Sequence, residues 1–224
     1  MSTIALTLLA YLLGSIPFAV IVSRAFALPD PRSYGSGNPG ATNVLRTGRT
    51  AAAALTLLGD ALKGWLAVFL AQRMAEAGTT DFTVAAAAVA VALGHMYPVF
   101  LRFRGGKGVS TSVGVLVALD PWIAAAAIAT WGIIAIFFRY ASLASLVAAA
   151  VAPFFAFFLY GMDRFALEPA VGLTVIALLI AWRHRANVRN LVVGTERRIG
   201  QQDSGARIQD SGSRIEDSEK TSRS

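Results

Sequence analysis

The chain contains no cysteine and only two histidines, His95 and His184, among 224 residues. Disulfides and thiolate chemistry are therefore excluded, and a His/Cys metal centre has too few ligands to close. Charge is also scarce. Asp, Glu, Lys and Arg make up 15% of the chain against 55% hydrophobic residues, and the mean hydropathy is +0.58. That balance lies outside the usual range of a soluble domain. No repeat relates the two halves, and no Ser/His/Asp signature points to an acyl-serine enzyme. No cofactor, metal or nucleic acid is expected as a partner.

What the chain does have is a series of Ala/Leu/Val/Ile runs of membrane-spanning character. Spans are predicted at about 4–22, 51–72, 82–101, 109–119, 122–138, 143–161 and 167–182. The fourth is short and turns into the fifth at Asp120-Pro121. The first is expected to be a retained helix and not a cleaved signal. Met1-Ser2-Thr3 carries no positive charge, and Arg24 follows the apolar run instead of preceding it. The fold class is thus an all-α integral membrane protein with seven transmembrane helices.

Thirteen Lys/Arg residues fall on one side of that arrangement, from Arg24 through Lys107 to Arg198, and only Arg73 and Arg164 on the other. The bias places the N-terminus outside and the C-terminus in the cytoplasm. Residues 1–200 form one helical membrane domain. Residues 201–224 repeat Arg-Ile-Gln/Glu-Asp-Ser with one apolar residue per repeat, too little to offset ordering entropy, so a disordered tail is predicted.

Three polar segments lie on the positively charged side. The first, Gly35 to Arg46, has glycines at 35, 37 and 40, with Ser36, Asn38, Thr42 and Asn43 as donors. Glycine freedom lets backbone N–H groups turn toward one anion. The second, Gly94 to Gly108, ends in Gly105-Gly106-Lys107-Gly108 just before a helix beginning Val109-Ser110-Thr111, a phosphate-binding construction. The P-loop spacer is missing, so nucleotide binding is not inferred; taken alone, the loop also reads as a basic turn. The third, His184 to Glu196, sets His184 among Arg183, Arg185 and Arg189 with Asn187 on the same helical face. Neighbouring positive charge favours the neutral imidazole. Inside the spans, Asp60 and Lys63 are spaced to pair, and His95 reads as a hydrogen-bonded structural group. Ser142 and Ser145 open the sixth span, as caps or, for Ser145, as a substrate contact.

These motifs resemble the bacterial acyl-phosphate:glycerol-3-phosphate acyltransferases, the PlsY type. Ser36-Gly37-Asn38-Pro39-Gly40-Ala41-Thr42-Asn43 with Arg46 looks like the family's first motif. Gly94-His95 through Gly105-Gly106-Lys107-Gly108-Val109 looks like the second, and His184-Arg185, Asn187 and Gly194-Thr195-Glu196 like the third. Asp60, Lys63 and Gly64 also fit. Tyr97, Arg104, Ser110 and Asn190 depart from the usual residues. The resemblance implies a multi-pass inner-membrane enzyme with its active site on the cytoplasmic face. It would esterify the 1-hydroxyl of glycerol 3-phosphate from an acyl phosphate, and the enzyme that makes the acyl phosphate would be its functional partner. Ser36, Arg46, Lys107, His184 and Asn187 become the expected catalytic residues. Gly37, Asn38, Gly40, Thr42, Asn43, Gly105, Gly106, Gly108, Ser145 and Glu196 become the expected substrate contacts, with Glu196 fixing a basic side chain. The proton acceptor is either His184 or a donor phosphate oxygen. An organic-phosphate transporter and a polyprenyl-phosphate transferase are the alternative readings.

Overall fold

The computed structural model describes residues 1–201; the tail expected beyond them lies outside the described residues. All regular structure among the described residues is helical. The first predicted span is broken into α1 (Thr3–Gly14) and α2 (Phe18–Ala25). Pro17 brings no N–H to continue the ladder, and the exposed Ile16 carbonyl takes a hydrogen bond of 2.8 Å from Lys63 Nζ. A short α3 (Ala41–Leu45) follows, then α4 (Thr50–Met74), α5 (Thr80–Met96) and a 3-10 turn at Val99–Leu101. The chain continues through α6 (Val109–Leu119), α7 (Pro121–Phe138), α8 (Ala141–Tyr160), α9 (Leu167–Arg183) and α10 (Arg185–Val192). Asp120 starts α7 by accepting from the Trp122 and Ile123 amides at 2.8 and 2.9 Å, with Pro121 in the first turn.

By length and composition, five spans cross a membrane: α1–α2 together, α4, α5 with its 3-10 turn, α7 and α8. The count rises to six if α9 and α10, bent by 57° at His184, are taken as one broken span. α5 is the most enclosed and packs against α1, α4, α6 and α9. Between helices in lipid, close packing of small residues replaces the hydrophobic drive available in water. Two crossings show this. A Cβ at Gly94 would strike the Tyr11 carbonyl, and one at Gly14 the Val91 carbonyl, so α1 and α5 approach backbone to backbone. Gly64 and Gly114 play the same part between α4 and α6, against the carbonyls of Thr111 and Ala61. The interior is mostly Ala and Val, while Leu62, Trp122, Ile136, Phe137, Phe154 and Leu178 face outward. Large apolar side chains outside and small ones within suit a lipid surround. The molecule is a multi-pass helical membrane protein.

Candidate active site

The turn from α5 to α6 and the bend from α9 to α10 meet at one end of the bundle. Lys107 Nζ donates to Asn187 Oδ1 at 2.6 Å. Asn187 Nδ2 donates to Glu196 Oε1 at 2.7 Å, and Ser142 Oγ donates to the same oxygen at 2.6 Å. One carboxylate thus orients the Asn187 amide so that its oxygen faces the lysine. Residues of the second and third polar segments and of the sixth predicted span, with bonded partners up to 80 positions apart, become a single chain of hydrogen bonds. Glu196, expected to fix a basic side chain, accepts from Asn187 and Ser142 and stands within Coulombic reach of Lys107.

His184, 2% exposed, sits at the bend. Its Nδ1 lies 2.8 Å from the Ile180 carbonyl, which can only accept, so Nδ1 carries the proton and Nε2 carries the lone pair. Burial first, then the charge of Lys107, pushes its pKa down to about 4, so the ring is neutral near pH 7. Lys107 is itself pushed down to about 8, chiefly by burial. Glu196 opposes that shift, and the Arg183 and Arg46 guanidiniums add to it. Arg46 therefore stands within Coulombic reach of Lys107. Pro39 of the first motif also shares a narrow cleft with Gly105 and Gly106 of the second. All three motifs converge.

Their glycines work differently from expectation. The Gly37 amide donates to the Tyr34 carbonyl, that of Gly40 to Asn38, that of Gly105 to Met96 and that of Gly106 to His95. These N–H groups shape their loops; they do not converge on an open anion hole. Asn43, expected to contact substrate, is 3% exposed and fully engaged. Its Oδ1 accepts from the Ser36 amide at 3.0 Å, and its Nδ2 donates to the Pro31 carbonyl at 2.7 Å, so it staples the first loop. Ser36, Thr42 and Arg46 remain on the exposed side of that staple, with Asn38 half-buried. Ser145 donates back to the Ala141 carbonyl and accepts from Trp131 Nε1, and among the described residues no hydrogen bond links it to the Lys107 chain. Gly108, at φ +87°, opens α6, whose first turn has no side-chain cap.

Sequence reasoning missed Arg183. Its Nε and Nη2 donate to the Gly106 and Gly105 carbonyls at 3.0 and 2.7 Å, and its guanidinium lies 5.2 Å from the centre of the Tyr97 ring. It was counted only as one more positive charge, because nothing in local spacing signals a partner 77 residues away. No group of three or more His, Cys, Asp or Glu residues suited to a metal occurs among the described residues.

The arrangement sets the cations Lys107, Arg46 and Arg183 beside a neutral imidazole acceptor. Comparison with known proteins agrees. The family described as glycerol-3-phosphate acyltransferase matches residues 4–194. A glycerol-3-phosphate acyltransferase of Bordetella pertussis is 58% identical over 203 residues, covering 90% of this chain and 94% of its own. One from Ralstonia nicotianae is 55% identical over 203 residues, covering 90% and 96%. The crystal structure of PlsY, an integral membrane glycerol 3-phosphate acyltransferase in its glycerol 3-phosphate form, superposes with a TM-score of 0.80. It is 37% identical, covering 88% of this chain and 96% of that one.

Proposed function

Since the chain belongs to the glycerol-3-phosphate acyltransferase family, we propose that its acyl donor is a fatty acyl phosphate and its product 1-acylglycerol 3-phosphate. The hydroxyl oxygen of glycerol 3-phosphate bonds to the acyl carbon, the acyl–phosphate bond breaks, and inorganic phosphate leaves. The donor is already a mixed anhydride, so no covalent enzyme intermediate is needed. Positioning and charge stabilisation supply the rate.

The observation that carries this reading is the Lys107–Asn187–Glu196–Ser142 chain, closed beside neutral His184 and within reach of Arg46. Two phosphate-bearing substrates need such cations. Lys107 has three N–H donors and gives one to Asn187, leaving two directions for phosphate oxygens. The uncapped first turn of α6 adds backbone amides for the same anion. Ser36 and Arg46 hold the second phosphate from the first loop. His184 Nε2 accepts the hydroxyl hydrogen bond and sets the angle of attack. With its pKa near 4, His184 is a weak base, and a phosphate oxygen of the donor is the better final proton acceptor.

The site faces the cytoplasm across an inner membrane, and seven crossings support that placement. Lys107 bonds to Asn187, so an even number of crossings separates them. α7, α8 and α9 are three, and short α6 is the fourth. α6 also reaches from Thr111, beside His95 at the end of α5, to Ala118, whose carbonyl accepts from Gln72 near the end of α4. The enzyme that produces the acyl phosphate is the expected functional neighbour. The deciding assay offers the purified protein acyl phosphate, acyl-CoA and acyl carrier protein in parallel with glycerol 3-phosphate. Product from acyl phosphate alone is expected, and product from acyl-CoA but not acyl phosphate overturns the donor assignment.

A further inference from the structure

Behind the Gly105–Gly106 turn lies a buried polar chain that the acyl transfer as described does not use. Lys63 Nζ and Asp60 Oδ1 are 2.8 Å apart, with side chains 3% and 2% exposed. The same Asp60 oxygen lies 3.4 Å from His95 Nδ1, and Thr111 Oγ1 lies 3.0 Å from that nitrogen. Lys63 is anchored in turn on the Ile16 carbonyl at the break of the first span. The carboxylate favours the proton on His95 Nδ1 and fixes the ring plane. The other edge of the ring meets the turn. A Cβ at Gly106 would collide with His95 Nε2, and one at Gly105 with the His95 carbonyl and Pro98 Cδ. The turn's amides donate to the carbonyls of Met96 and His95 at 3.2 and 3.1 Å. Arg183 grips its two carbonyls. The turn therefore has one seat, and Lys107 is the next residue. Apolar residues of equal volume would fill this space without burying charge, so the chain is better explained by the ring it orients.

We propose that His95, locked by Asp60 and Thr111, is a positioning residue for the acyl transfer: its ring is the wall against which Gly105–Gly106 sets, and through that turn it places the Lys107 ammonium. This rests on reading Lys107 as the cation that meets substrate phosphate.

The test is a double-mutant cycle on the purified full chain. His95→Ala should lower kcat about 100-fold, the scale of an ångström-level misplacement of a catalytic group. Thr111→Val, nearly isosteric, should lower kcat in the same direction by a smaller factor while the thermal midpoint stays near that of the parent. In a Lys107→Ala background, each should cost less than about threefold, because the group being positioned is gone. Equal factors in both backgrounds, or a parental kcat for His95→Ala, would overturn the inference while leaving the function intact. If His95→Ala does not fold, the Thr111→Val cycle decides alone by the same criterion. A parental kcat for Lys107→Ala would instead sink the reading of Lys107, and the inference with it.

Discussion

On the proposed reading Lys107 meets phosphate as a cation, yet it stands in a cleft that disfavours charge. Burial and the Arg183 and Arg46 guanidiniums hold its pKa near 8, below the ordinary lysine value of 10.5. In the free enzyme, kcat/KM should therefore fall as pH rises through about 8, and Lys107→Arg, charged at every accessible pH, should abolish that alkaline limb. An unchanged limb in the arginine variant assigns the titration elsewhere. Lys107→Ala should lower kcat by about 10²–10³, the usual cost of one charge-stabilising donor. His184 titrates in the opposite window. Its folded pKa of about 4 lies below the ordinary histidine value of 6.5, so the unfolded chain binds a proton that the fold refuses. Stability should fall as pH drops from about 6.5 to 4. His184→Gln should flatten that slope in thermal unfolding measured across the range. A slope that persists locates the acid sensitivity in another group.

Between elements, the small residues at α4 and α6 set how closely the helices approach, and so where the turn before α6 emerges. Gly114→Ala puts a methyl against the Ala61 carbonyl and should cost about 1–3 kcal/mol, the range for overpacking. Gly132→Ala on α7 meets nothing within 4 Å and should be neutral or slightly stabilising, since alanine is the better helix former. Thermal midpoints in one detergent compare the pair, and equal losses would show that the α4–α6 approach is not close. Helix positions were legible from apolar runs and charge punctuation: 109–119 and 167–182 match α6 and α9 to within one residue. The Asp60–Lys63 pair was legible too, because three positions on a helix share a face. The break at Pro17 had a local signal, a proline inside an apolar run, that the span reading passed over; the Asn43 staple, the Arg183 clamp and the tie of His95 to Asp60 were not legible. Each depends on how separate elements register in space, and a partner 12 to 78 residues away leaves no periodicity in the chain.

For the molecule as a whole, the positive-inside bias and the hydrogen bonds between distant loops make independent statements about topology. Thirteen cations against two predict an orientation with the basic face in the cytoplasm, while the Lys107–Asn187 bond requires an even number of crossings between its ends. Both agree only if α6, 11 residues long and about 16 Å at 1.5 Å per residue, counts as a crossing although it is shorter than the hydrocarbon core. Cutting the chain after residue 202 should leave turnover unchanged, because the motifs end by Glu196. Topology can be tested directly, because a chain without cysteine needs no background removal before single cysteines are placed. Glu76→Cys and Arg164→Cys should react with a membrane-impermeant maleimide on intact cells. Arg104→Cys and Arg189→Cys should react only after permeabilisation. Labelling of Arg189→Cys from outside while Arg104→Cys stays protected would put the second and third motifs on opposite sides of the bilayer. No lysine could then reach Asn187, α6 would not cross, and the shared anion site would not exist.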